Sequence, residues 1–321
     1  MHKTGILISF LLLIAYPCIV QGDMPVTATS ITLNPDSPET RKVGKLLYLG
    51  GLQLESEDDR FGGFSALHID RNGHMLLAIT DRGDLMQADL GVSPDGAPIS
   101  LQIRRFQKLL GVDGLELEGK PYSDAESLAF GSDGVMTVSF ERKHRILRYD
   151  NGETAPSVVR PPPELGLAPK NGGIEAMTHL RDGRLVVISE SIDTHKGVIG
   201  WVEDPDANTG WSMFTYETDG FFRPTAAATL PNGTVLVLER FYTPLSGNAA
   251  RVVSLGETAF VPRARIKGTE LSLLKSPLSV DNFEGLAVHP TVDGRNIVYL
   301  ISDDNFNPLQ RTLLMAFELV P

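Results

Sequence analysis

Short apolar stretches separated by polar turns recur along this chain, and five of them share one layout. Residues 65–73, 126–134, 175–183 and 225–233 each run from an apolar segment into an Asn/Asp-rich turn. In all four the glycine of that turn, Gly73, Gly134, Gly183 or Gly233, falls eight residues after the first position. A fifth copy, 284–294, carries two additional residues before Gly294. A second apolar segment follows the turn, as at 76–79, 185–188 and 235–238. Strand, glycine turn and strand make a β-hairpin, in which glycine supplies the positive φ that the turn requires.

Successive copies begin 61, 49, 50 and 59 residues apart. That period suits one four-stranded propeller blade better than one helical repeat. Amphipathic helices are nearly absent, the best short candidate being 104–110 in the long first inter-repeat segment. The pattern therefore predicts an all-β fold, a single β-propeller over residues 23–321. Further strand-like text at 30–33 and 46–54 either forms a blade of its own or closes one with 313–319. Six blades is the expectation and five the alternative, with N- and C-terminal strands sealing the ring edge.

The first residues change the picture of where the protein works. His2 and Lys3 lead into an apolar run from Ile6 to Ala15, and Val20 and Gly22 place compact side chains before Asp23. This is the order of a cleaved export signal over residues 1–22. A membrane anchor is the rival, but the run is shorter than the ~20 residues a spanning helix needs. Lipid attachment at Cys18 is disfavoured by bulky Tyr16 and Pro17 before it. Cleavage removes Lys3, so the formal charge moves from 29 − 40 = −11 to 28 − 40 = −12. Such acidity, without a basic stripe, argues against a nucleic-acid partner. The only cysteine, Cys18, leaves with the signal, so a large core rather than disulfides must hold the mature protein. A monomer, periplasmic or secreted, is the expectation.

Candidate chemistry lies at the strand ends. The second strands end on Asp81-Arg82, Glu141-Arg142, Glu190-Ser191, Glu239-Arg240 and Asp303-Asp304, and Glu126, Glu175 and Glu284 begin first strands. First strands of propeller blades line the central channel, so these acids should converge on one axis. Carboxylates so crowded cannot all stay ionised without a cation or neighbouring bases. The acid–arginine steps are equally readable as salt bridges between blades, but no base adjoins Glu126, Glu175 or Glu284, which need a partner from elsewhere.

At these residues the chain resembles the phytase-like propeller family described as "esterase-like activity of phytase". The resemblance rests on Thr80-Asp81-Arg82-Gly83, Asp124-Ala125-Glu126-Ser127-Leu128, Phe140-Glu141-Arg142 with Arg145-Ile146, and Asn171-Gly172-Gly173-Ile174-Glu175-Ala176. It continues through Leu238-Glu239-Arg240, Asp281-Asn282-Phe283-Glu284-Gly285-Leu286 and Ser302-Asp303-Asp304-Asn305-Phe306. Ser127 departs from the glycine that follows Glu284. The resemblance implies hydrolysis of a phosphate or related ester with calcium screening the charge. Glu126, Glu175 and Glu284 with Asp303 or Asn305 are then the candidate metal ligands. Arg82, Arg142, Arg240 and Lys275 would hold phosphate oxygens, and a carboxylate off the metal would activate water.

Other motifs are weaker. Asp281-Asn282 and Asp303-Asp304-Asn305 lack EF-hand spacing. His68, His179 and His289 fall in no zinc-ligand spacing, and there is no G-x-S-x-G elbow. Asn232-Gly233-Thr234 is accounted for by its hairpin turn, and Pro161 to Pro163 by a rigid loop. Three functions remain open: a metal-assisted phosphoester hydrolase, a calcium-dependent lactonase-like hydrolase with fewer cationic residues, and a non-catalytic binding module. Cations converging on the acids favour the first, and their absence favours the second. Acids fully paired between blades, with no open pocket, favour the third.

Overall fold

The computed structural model describes residues 24–150 and 154–321. The expected export signal lies outside these residues. Each repeat hairpin opens one β-sheet, and the sheets number five. Blade 1 comprises Phe64–Ile69, Met75–Thr80, Asp84–Val92 and Pro98–Lys108. Blade 2 comprises Ala125–Phe130, Met136–Phe140, Arg145–Tyr149 and Ser157–Val159. Blade 3 runs through Ile174–His179, Leu185–Thr194, Gly197–Glu203 and Trp211–Glu217, with Arg265–Lys267 added in parallel at its edge. Blade 4 comprises Arg223–Thr229, Thr234–Thr243, Gly247–Gly256 and Thr269–Lys275.

Blade 5 draws on both ends of the described chain. Phe283–Pro290, Asn296–Ser302 and Thr312–Leu319 continue into Leu46–Glu55, which pairs in turn with Thr27–Ile31 and Lys42–Val43. Leu314 lies opposite Leu52 and Leu319 opposite Leu46 in that ladder. The preferred six blades are therefore corrected to five. The N-terminal strands lack the hairpin repeat, and a ribbon of so few strands would expose unpaired edges that the Thr312–Leu319 strand satisfies.

The best short helix candidate, 104–110, is not a helix, because Pro98–Lys108 is a strand. Its ladder pairs Gln87 with Arg105 and Ala88 with Ile103, leaving Arg104 as a bulge. The extra residue breaks the two-residue alternation, so buried Ile103 and Phe106 stand three apart and imitate helical spacing. Among the described residues the one α-helix is the single turn Lys120–Ser123. No described helix is long and apolar enough to cross a membrane.

The apolar alternation of the hairpins explains the packing. Five clusters of buried side chains fill the spaces between blades 1 and 2, 2 and 3, 3 and 4, 4 and 5, and 5 and 1. The second strands are apolar on both faces because each faces a neighbouring blade on either side, as in Leu185, Val186, Val187 and Ile188, all at most 1% exposed. The first strands touch one another in order, Phe64–Ile69 against Ala125–Phe130 and so on to Phe283–Pro290, which touches Phe64–Ile69. Whatever projects from them meets at one axis.

Candidate active site

In all five blades the ladder between first and second strands skips one residue. The skips fall between Phe64 and Ala66, Ala125 and Ser127, Ile174 and Ala176, Pro224 and Ala226, and Phe283 and Gly285. The bulged residues are Ser65, Glu126, Glu175, Thr225 and Glu284, which are the first positions of the five sequence repeats. A bulge removes a side chain from the alternation of the strand and re-aims it. The next residue is small in every blade: Ala66, Ser127, Ala176, Ala226 and Gly285. A Cβ built on Gly285 would stand 2.4 Å from Ile301 Cγ2 and 3.0 Å from Leu67 Cβ, so crowding between blades selects small residues there. Ser127 meets the same requirement, and its departure from glycine changes nothing at the site.

A second set of equivalent positions follows the end of each second strand. Thr80, Phe140, Ser189, Glu239 and Ser302 occupy matching ladder positions, each opposite the residue before the bulge. The residues after them are Asp81, Glu141, Glu190, Arg240 and Asp303. Blade 4 thus places Arg240, not Glu239, in the ring, which corrects the sequence expectation by one register step. Glu239 faces away, where its buried carboxylate accepts a hydrogen bond from Tyr216 Oη at 2.6 Å and pairs with Arg251 Nε. One residue along a strand reverses the face, and Leu238-Glu239-Arg240 alone does not disclose the phase.

The acids converge electrostatically. Burial pushes Glu126 well above the ordinary carboxylate range, and the charges of Glu175, Glu141, Asp124 and Glu284 push it further. Glu175 is raised by burial and by Glu190, with Arg240 opposing. Glu284 is raised by burial against the pull of Arg240 and of a 2.7 Å hydrogen bond from Asn282. Asp303 is pushed up to about 9 by burial and by Glu284, although the Asn305 N–H donates to its carboxylate at 2.6 Å. Glu141 is raised chiefly by burial, opposed by hydrogen bonds from the backbone N–H groups of Gly172 and Gly173.

Arg240 is the cation among them. Its Nε lies 3.3 Å from Glu284 Oε1, one terminal nitrogen lies 3.3 Å from Glu190 Oε1, and another donates to Asn282 Oδ1 at 3.2 Å. The other cations expected here go elsewhere. Arg82 is exposed, lies over the Phe306 ring at 3.3 Å from its centroid, and donates to the Asp59 carbonyl. Arg142 is spent on Asp124, with Nε 2.6 Å from Oδ2. Lys275 is exposed at the end of the outermost strand of blade 4, three strand spacings or about 14 Å from the first strand. Asn305 is exposed and reaches the ring through its backbone N–H, which donates to Asp303.

A hard divalent cation suits the oxygen-only donor set. Asp124, Glu126 and Glu141 each offer an oxygen within 4.8 Å of the others. The buried Oδ1 of Asp81 has no hydrogen-bond partner, while its Oδ2 lies 2.5 Å from Lys120. Asp124 and Glu141 were not singled out as ligands from sequence. Their signal is positional, since Glu141 is itself a ring position and Asp124 lies two residues before the bulged Glu126. Beside the ring a cleft of about 410 Å³ runs outward from Glu190 and Arg240 between Arg223, Phe221, Phe241, Tyr242 and Thr243.

The family described as "Phytase-like: Esterase-like activity of phytase" matches residues 59–306. No curated protein matches the sequence. Among solved structures the chain is similar to a gluconolactonase from Xanthomonas campestris, at 10% identity and TM-score 0.45, over 93% of this chain and 99% of that one. It is also similar to a protein of unknown function from Dyadobacter fermentans, at 12% identity and TM-score 0.45, over 92% and 99% of the two chains. A third likeness is to a luciferin-regenerating enzyme, at 13% identity and TM-score 0.41, over 80% and 92%. At these scores the structural likenesses carry no argument about chemistry.

Proposed function

Because the chain belongs to the phytase-like family described as esterase-like activity of phytase, we propose that it hydrolyses small carboxylic esters or lactones with the help of a divalent cation, calcium by preference. The observation that carries this reading is the balance of charge at the axis: Glu126, Glu141, Glu175, Glu190, Glu284, Asp303 and Asp81 outnumber the cations, with Arg240 held between Glu190 and Glu284, Lys120 paired with Asp81 and Asp124, and Arg142 paired with Asp124. A phosphate ester needs several free cations to hold its oxygens, but Arg142 and Lys120 are already paired with Asp124, and Arg82 and Lys275 are turned elsewhere. An uncharged carbonyl needs only one well-placed donor and suffers less repulsion from the acids.

Asp124, Glu126 and Glu141 would hold the cation, with Asp81 close to them in the ring. When bound, calcium would polarise the carbonyl and offset the crowded carboxylates. Arg240 donates to the carbonyl oxygen as negative charge develops there. Glu175, in the ionised form that Arg240 and a bound cation would favour against burial, takes a proton from the attacking water as the new carbon–oxygen bond forms, and passes it to the departing oxygen as the old carbon–oxygen bond breaks. The open cleft beside Arg240 favours this reading over a ring of fully paired structural acids. Action outside the cytoplasm is part of the proposal and rests on residues 1–22.

Calcium titration of the mature chain with thermal unfolding tests the site, alongside Glu126→Gln and Glu141→Gln. A calcium-dependent rise in Tm that either variant abolishes is expected, followed by hydrolysis of an ester or lactone but not of p-nitrophenyl phosphate. The rise should be larger at pH 8 than at pH 5, since ligands raised in pKa must release protons to bind metal. No change in Tm at either pH would sink the metal assignment, and preferential phosphate release would sink the choice of ester.

A further inference from the structure

We propose that the cleft beside Arg240 is an apolar subsite, in which Phe221, Phe241 and Tyr242 hold the aryl or long alkyl part of the ester. The inference rests on the hydrolase reading and names its substrate class. Phe221 is 80% exposed and Tyr242 59% exposed, although both sit at the mouth of a strongly acidic centre. Large aromatic surface left in water beside a charged ring is unfavourable for the free protein and is recovered when an apolar group covers it.

The wall is braced from behind. The Phe221 and Phe241 rings stack with centroids 6.0 Å apart, and Phe222 lies 5.5 Å from Phe241. Arg251 sits over Phe222 at 4.3 Å, and Arg251 is itself fixed by the buried carboxylate of Glu239. The chain that carries Glu239 away from the ring therefore supports the aromatic surface that flanks Arg240. An apolar wall with Arg240 at its floor and Arg223, paired with Asp193, at its side matches a ligand with one oxygen-rich end and one apolar end. A sugar phosphate would set anionic groups against the aromatic rings and against Glu190, with Arg240 already held between Glu190 and Glu284.

The test compares ethyl 4-phenylbutyrate with ethyl butyrate in a pH-stat, using the calcium-loaded mature chain and its Phe221→Ala and Tyr242→Ala variants. Calorimetric binding of 4-phenylbutyrate and sedimentation velocity accompany it. Both substitutions are at exposed positions, and retained Tm verifies folding. The phenyl ester should be preferred, and each variant should lower the kcat/KM ratio between the two esters by about tenfold and weaken 4-phenylbutyrate to a similar degree. Hydrolysis whose ratio and 4-phenylbutyrate affinity are indifferent to both substitutions overturns the subsite and leaves the hydrolase reading standing. Binding of 4-phenylbutyrate that depends on Phe221, with neither ester turned over, supports the subsite and overturns the hydrolase reading. A dimer dissolved by Phe221→Ala, with no 4-phenylbutyrate bound, overturns the subsite in favour of a contact between copies.

Discussion

Arg240 Nε lies 3.3 Å from Glu284 Oε1, so the cation of blade 4 is committed to an acid of blade 5 as well as to Glu190 of blade 3. Burial disfavours the guanidinium's charge, but Glu284, Glu175, Glu190 and Asp303 together outweigh it and hold Arg240 protonated. Replacing it leaves crowded carboxyls without their internal counter-charge. Arg240→Met is expected to cost about 2–4 kcal/mol in calcium-free buffer, at the lower side for buried pairs because water screens the exposed part of the side chain. Urea denaturation measures this, and an unchanged midpoint would mean that its acidic partners are neutral in the folded protein.

Tyr216 and Glu239 form a second pair, at 2.6 Å and fully buried between blades 3 and 4. Tyr216→Phe removes a donor to a buried carboxylate while keeping the ring, and should destabilise the protein by about 1–3 kcal/mol. Because Glu239 fixes Arg251 beneath Phe222, the same variant should also loosen the aromatic wall. Chemical denaturation gives the first effect, and weaker 4-phenylbutyrate binding the second.

Gly285 is fixed by space. Its missing side chain admits Ile301 and Leu67, and Gly285→Val should cost about 1–3 kcal/mol through overpacking. The change also pushes on Glu284, so calcium-induced stabilisation should shrink in parallel. Ser127→Gly, at the matching position of blade 2, should change stability by less than about 1 kcal/mol. Thermal unfolding with and without calcium separates the two variants.

His68 supplies a pH dependence away from the acids. Burial depresses it to about 4, with Asp70 opposing, and its ring lies 4.1 Å from that of Phe130. A histidine depressed on folding favours the native state fully above its unfolded value near 6.5 and loses that contribution as pH falls toward 4. The His68 contribution should therefore decline between pH 6.5 and 4, against the opposite contribution of the raised acids at the axis, and the difference between the wild-type and His68→Phe stability curves should change over that range. NMR titration should find the ring neutral at pH 5; a protonated ring at that pH would contradict the assignment.

The repeats made much of this readable from sequence. Each glycine turn fixes a hairpin, and the first position of each copy proved to be the bulged residue, so Glu126, Glu175 and Glu284 were found correctly as residues at the axis. The number of blades was harder, because strand text at 46–54 does not say whether it starts a sheet or completes a distant one. The second ring depended on strand phase. Asp81, Glu141, Glu190 and Asp303 follow their ladders in step, but two charged residues meet at Glu239-Arg240 and only the register decides between them. Arg82, Arg142 and Lys275 stand apart from Arg240, because a basic residue near an acid in sequence carries no information about which aromatic ring or carboxylate it meets in space.

The mixed origin of blade 5 has a bearing on how the molecule assembles. Leu52 and Leu314 are neighbours in its ladder although the other four blades lie between them in the chain. The leading hairpins of all five blades join segments close in sequence and can form early, whereas the ladder of Leu46–Glu55 with Thr312–Leu319 in blade 5 must wait for a contact of very long range. Glu284 and Asp303 belong to the local hairpin of blade 5 and are held against the other acids once that ladder forms. Until that step, Glu126 and Glu175 face open water and keep their solvation, so the electrostatic strain of gathering the acids is concentrated in the last stage of folding. Calcium bound at the proposed site, and pH, would then act on the speed with which the protein reaches its native state, in addition to the balance between folded and unfolded chains.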